Sequence, residues 1–152
     1  MGEEFKLINL YKVYNFNDKD AQESVKRVLS AFSVDKNPAI QDFIQNKMIN
    51  EQKHSKSRTF LIVKNQSVYA FFTIRLEVLD ISKLEKSVKK KLILKGKSPN
   101  NIDYIPCVLL EELAKNSNIK NNDVDLDYII KHVTDIVSKV ISYVGGELLI
   151  LN

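Results

Sequence analysis

Residues 104–152 read YIPCVLLEELAKNSNIKNNDVDLDYIIKHVTDIVSKVISYVGGELLILN, and the reading of this stretch decides the fold. Tyr104 to Lys115 is apolar at its start and reads as a central strand. Asn116 to Asp123 is a polar loop, and Asp125 suits a helix cap, because its carboxylate can accept a hydrogen bond from an orphan N–H of the first turn. Ile129, Val133, Ile136, Val137, Val140 and Val144 recur at helical spacing and predict one apolar stripe. Gly145-Gly146 ends that helix, and ELLILN follows as a short apolar strand. A strand, a helix and a second strand in one sheet make a parallel, right-handed unit.

Working outward, Arg58–Lys64 (RTFLIVK) and Val68–Leu79 (VYAFFTIRLEVL) are rich in β-branched and aromatic residues. Asn65-Gln66 between them is a tight turn, so the pair predicts a hairpin. Upstream, residues 4–16 alternate loosely and predict a first strand. Asp18 or Asp20 then caps a helix carrying Val25, Val28, Leu29 and Phe32. Asn37-Pro38 opens another helix, with Ile40, Phe43, Ile44, Met48 and Ile49 on one side. Ser82 to Leu94 predicts a lysine-rich helix inserted before the central strand. The order is strand, helix, helix, strand, strand, helix, strand, helix, strand. That places the chain in the α+β class (α/β mixed), with a mixed, largely antiparallel sheet flanked by helices.

The chain has 152 residues, which fits a single domain over 1–152 with a real core. Only 4 glycines and 3 prolines argue against long linkers. One cysteine, Cys107, excludes an internal disulfide framework and a cysteine-rich zinc site. Neither His54 nor His132 has a second ligand at metal spacing, so no metal is expected. No apolar run approaches the ~20 residues that span a bilayer. The amino-terminal MGEEFKLINLYKVYNF lacks the basic and apolar regions of a signal peptide. A cytoplasmic protein that does not enter a membrane is expected.

Three segments resemble one family. FSVDKNPAIQDFIQNKMINEQKHSKSRTFLIV (32–63), YIPCVLLEELAKNSNIKN (104–121) and VSKVISYVGGELLILN (137–152), in this order, resemble GNAT-type N-acetyltransferases of the toxin-like and Gram-positive bacterial groups. The resemblance implies acetyl-CoA held where the fourth and fifth strands splay apart. The pantetheine would pair with fourth-strand backbone, and the pyrophosphate would sit on a glycine-bearing loop and the next helix N-terminus, where free N–H groups and the helix dipole attract anions. Carried onto this chain, the cofactor positions are Leu113, Ala114, Lys115, Asn122 and Asp125.

The chain departs from that pattern. No glycine occurs from residue 97 to 144, and Asp125 stands at the family's glycine with Asp123 and Asp127 beside it. A single like-charge pair at ~4 Å costs on the order of 4 kcal/mol before screening. Glu111 and Glu112 replace the expected Gly and Gln. The resemblance also implies a helix and two strands after the fifth strand, with a tyrosine to protonate the leaving thiolate. The sequence ends at Asn152, ahead of that region. The expectation is therefore a degenerate GNAT fold, truncated after its fifth strand, with an open sheet edge for a protein partner or a second copy to cover.

Three further groups of residues carry chemistry. Glu77, Glu111 and Glu112 would serve as general bases toward an amine if the protein is an enzyme, or stand as exposed strand-end carboxylates if it is not. Lys86, Lys89, Lys90, Lys91 and Lys95 would contact nucleic acid or an acidic protein, or form the wet face of an amphipathic helix. Cys107 is expected to be a packed thiol. These features leave two main functions open. One is a non-catalytic pseudoenzyme that binds a protein or other macromolecule and uses no cofactor. The other is an active acetyl-CoA-dependent N-acetyltransferase. A nucleic-acid binder is a weaker third.

Overall fold

The computed structural model of the chain describes residues 4–92 and 103–150. The sheet has five strands in the order β1-β2-β3-β4-β5. These are β1 (Lys6–Asn9), β2 (Arg58–Lys64), β3 (Ser67–Asp80), β4 (Tyr104–Lys115) and β5 (Glu147–Ile150). The first four are mutually antiparallel, and β4 pairs with β5 in parallel. The helices are α1 (Leu10–Val13), α2 (Lys19–Ser30), α3 (Pro38–Asp42), α4 (Met48–Lys53), α5 (Lys86–Leu92) and α6 (Leu126–Val144).

The local signals work as elementary chemistry predicts. Asn65 and Gln66 both adopt positive φ, 52° and 63°, which matches the twist that a two-residue hairpin requires. Asp18 caps α2 by accepting from the Asp20 and Ala21 amides. Asn37 caps α3 ahead of Pro38, and Asp125 caps α6 by accepting from the Tyr128 amide. Between α3 and α4 the helix widens into a π turn at Phe43–Lys47, where the Met48 N–H reaches back to the Phe43 carbonyl.

Alternation along the strands divides the core into two. Leu61, Phe71 and Ala114 pack with Leu10, Phe32, Phe43 and Met48 from the α1–α4 side. Ile62, Phe72, Ile74, Val108 and Leu110 pack against Ile129, Val133 and Val137 of α6. Cys107 is a buried free thiol, as expected.

Three expectations need correction. The first strand does not run to residue 16. It ends at Asn9, whose side chain accepts from the Tyr11 amide and turns the chain into α1, burying Leu10. The inserted helix does not begin at Ser82, because Ser82 donates both its amide and its hydroxyl to Asp80 in a local turn, and α5 starts at Lys86. Its expected end at Leu94 lies outside the described residues. Val144, expected in the apolar stripe of α6, is 73% exposed, because as the last residue of the helix it lines an open groove rather than packing in the core.

Candidate functional site

Strand β4 carries an irregularity close to the positions expected to hold a cofactor. Cross-strand pairing shifts by one residue between Thr73 and Ile74: Thr73 faces Glu112 while Ile74 faces Leu110, so Glu111 is an extra residue in β4. A bulge of this kind bends its strand and re-aims its side chains. The described part of β5, Glu147–Ile150, pairs along its whole length with Cys107–Leu110 of β4. Leu113, Ala114 and Lys115, the strand positions expected for the cofactor, lie on the far side of the bulge and pair with Phe72, Phe71 and Ala70 of β3.

The bulge brings Glu111 and Glu112 together and adds a partner that sequence reasoning missed, Glu51 of α4. Burial and the Glu51 charge raise the Glu111 carboxyl to about 7, and the Arg75 guanidinium offsets this only in part. Arg75 Nη1 lies 3.7 Å from Glu111 Oε1, a distance too long for a strong bond. Burial and Glu51 also raise Glu112, against a lowering from Lys47. The two acids Glu51 and Glu111 can bond to each other only by sharing a proton. Glu77 is linked to this cluster only through Arg75, which it meets at 3.1 Å.

Beneath these groups lies a buried polar layer. Thr59 Oγ1 and Thr73 Oγ1 are 2.7 Å apart, and Gln52 Nε2 donates to Thr59 at 3.4 Å. Gln52 is wholly buried. Gln52 Oε1, Arg75 Nε and Glu111 Oε2 are buried with no hydrogen-bond partner from the protein. Buried polar atoms left this way cost about 1–3 kcal/mol each, and such costs concentrate where a ligand or a proton is handled.

The loop beyond β4 behaves differently. Buried Asn116 donates to the Val68 carbonyl at 2.8 Å and accepts from the Ser33 and Asn118 amides. Asn118 donates to Ala31, and the Ser117 amide to Ser33. Asn122 donates to Tyr69 and accepts from the Val124 amide, and Lys115 Nζ closes on the Asn122 carbonyl at 3.2 Å. Asp125 is spent on its cap, and Asp123 lies 3.9 Å from Lys64. Of the expected cofactor positions, Asn122 and Asp125 thus fall in a loop and cap that are hydrogen-bonded to their own protein, while Leu113, Ala114 and Lys115 lie on β4.

The lysines do not form one wet face. Lys86, Lys90 and Lys91 are exposed, but Lys89 turns inward, is buried, and meets Asp103 at 3.5 Å. Lys95 lies outside the described residues. His54 is exposed at the end of α4, and the His132 ring packs edge-on against Tyr128. No described helix is long and apolar enough to cross a membrane.

No family model matches the chain, and no curated protein matches it. Solved structures do. A mutant of KacT aligns with a TM-score of 0.69 at 14% identity, over 99% of this chain and 80% of that one. AtaT complexed with acetyl-methionyl-tRNAfMet aligns at 0.64 and 18% identity, over 98% and 79% of the two chains. A mutant AtaT toxin bound to the C-terminus of the antitoxin AtaR and acetyl-CoA aligns at 0.61 and 15% identity, over 99% and 77%. These are GNAT-fold toxins, and at such identities the likeness shows the fold: the chain has the mixed α+β GNAT architecture that its sequence resembles.

Proposed function

We propose that this chain is a GNAT-fold protein that acts by binding another macromolecule, a protein, rather than by turning over acetyl-CoA. The observation that carries the reading is the loop after β4. A pyrophosphate site needs free N–H groups at a helix N-terminus and room for phosphate oxygens. Here the Val124 and Tyr128 amides are already held by Asn122 and Asp125. The Asp123, Asp125 and Asp127 carboxylates at the start of α6 favour its dipole but repel a pyrophosphate. A protein partner is in keeping with the AtaT structure that holds the C-terminus of an antitoxin. Action in the cytoplasm is part of this proposal. Calorimetric titration of the full chain with acetyl-CoA tests it: no saturable heat is expected, and micromolar binding would sink the reading.

One observation favours a second reading, an acetyl-CoA-dependent N-acetyltransferase. Glu111, raised to about 7, is poised as a general base near neutral pH, and Glu51 and Glu112 would attract an ammonium group beside it. An amine on that side could lose a proton to Glu111 before attacking a thioester. Release of free CoA from acetyl-CoA with a panel of primary amines, reduced about a hundredfold by Glu111→Gln, is the outcome this reading requires. A wild-type chain that releases none ends it.

A further inference from the structure

We infer that the outer edge of β3 from Arg75 to Asp80, with the groove beside it, docks an extended acidic segment of a protein partner. Strand β3 spans Ser67–Asp80, but its pairing with β2 ends at Arg58↔Ile74. From Arg75 to Asp80 it pairs with β4 alone. The chain leaves this edge because Ser55, with φ 56°, turns it from α4 into β2 just before Arg58. Among the described residues, no strand occupies the place that a longer β2 would take.

The side chains there suit an added strand. Leu76 is 73% exposed and Val78 58% exposed, both on the α6 side of the sheet. Natural edge strands usually carry lysine, proline or a bulge to discourage pairing, and aliphatic residues at alternate positions invite it. The adjoining groove has a volume of about 630 Å³, with Ile74, Leu76, Val108, Val140 and Val144 along its apolar side. An extended peptide offers backbone groups to the edge and alternate apolar side chains to the groove.

Charge selects the occupant. Lys56 and Arg58 line the opposite wall, and no carboxylate lines the groove among the described residues. Arg75 is already bridged to Glu77, and Arg58 donates to the Gln52 and Ser57 carbonyls and lies over the Tyr11 ring, whereas exposed Lys56 takes part in no ion pair among the described residues. Acidic residues between the apolar ones would meet that wall. A second copy of this chain fits poorly, since a two-fold pairing of β3 edges would bring two such basic walls together. Single-stranded nucleic acid fits poorly as well, because no aromatic ring lines the groove to stack bases.

The inference rests on the binding-protein reading for its choice of a protein partner, and on nothing about acetyl-CoA. Its test is selection of displayed random dodecapeptides on the full chain, followed by hydrogen exchange with and without the selected peptides. The expected winners carry Asp or Glu between alternate apolar residues and slow exchange over Leu76–Asp80. They lose about tenfold or more in affinity against Leu76→Lys and against Lys56→Glu, two exposed positions whose substitution leaves the melting temperature in place. Absence of winners, basic winners, equal binding to both variants, or protection elsewhere overturns the inference. So does self-association in light scattering that protects Leu76–Asp80 and is lost in Leu76→Lys. If the groove fails while acetyl-CoA still does not bind, the binding-protein reading stands with another surface. Binding of acetyl-CoA removes that reading alone.

Discussion

The loop after β4 and the bulge within β4 are neighbours in sequence, yet they treat polar groups in opposite ways. In the loop, Asn116, Asn118 and Asn122 bond to β3 and to the segment after α2. At the bulge, Glu111 is forced toward Glu51, and three buried polar atoms find no partner in the protein. A well-bonded loop stabilises the fold and has little left for a ligand. An under-bonded cluster costs stability and keeps its chemistry available. Two stretches of β4 and its following loop, only a few residues apart, thus differ in how completely the protein satisfies its own polar groups.

The largest effect should come from the bonded half. Asn116→Ala removes a buried amide that serves β3, Ser33 and Asn118 at once, and should lower unfolding free energy by about 3 kcal/mol in urea titration. A loss below about 1 kcal/mol would mean that the loop is held by its other contacts. The under-bonded half should respond in the opposite direction. Glu111 holds a proton in the folded chain up to about 7, while the unfolded chain releases it near 4.5. Stability contributed there is complete below pH 4.5 and falls as pH rises toward 7, since the unfolded state binds fewer protons across that window. Glu111→Gln should therefore stabilise the protein at pH 8 by on the order of 2 kcal/mol and flatten the slope between pH 5 and 7, read from denaturation at several pH values.

Smaller changes sharpen the contrast. Asp125→Ala removes the α6 cap and should cost about 1 kcal/mol without creating acetyl-CoA binding, because the Asn122 bonds remain. If calorimetry then shows acetyl-CoA binding, the cap alone was blocking the site. Least affected should be Asp103→Asn, which unpairs inward-turned Lys89. With Asp103 largely exposed, a loss under about 1 kcal/mol is expected in thermal melts.

What could be read from the sequence was whatever local chemistry controls. The Asn65-Gln66 turn, the Asp18, Asn37 and Asp125 caps and the bounds of β4 all depend on a few adjacent residues. The first strand was read too long because Asn9 diverts the backbone with its own side chain, an alternative that hydrophobic alternation does not register. The bulge left no mark in the composition of β4. Glu111 and Glu112 read as two ordinary strand residues until the pairing with Thr73 and Ile74 is known. Glu51 could not be read at all as a neighbour of Glu111. Their proximity depends on how α4 packs across the sheet, which no short window contains. Lys89 looked like its neighbours because its partner, Asp103, lies across the segment that follows α5.

The π turn at Phe43–Lys47 carries a consequence for length changes in this chain. A residue added to or taken from a helix turns everything beyond it by about 100°. The wide turn already absorbs one extra residue, so deleting a single codon within Phe43–Lys47 would restore regular winding and keep Glu51 and Gln52 facing Glu111 and Thr59, whereas adding one there would swing them away. Such an addition would dismantle the acidic cluster without altering any of its members, so a one-residue gain there, not a one-residue gap, is the length change able to separate fold from site.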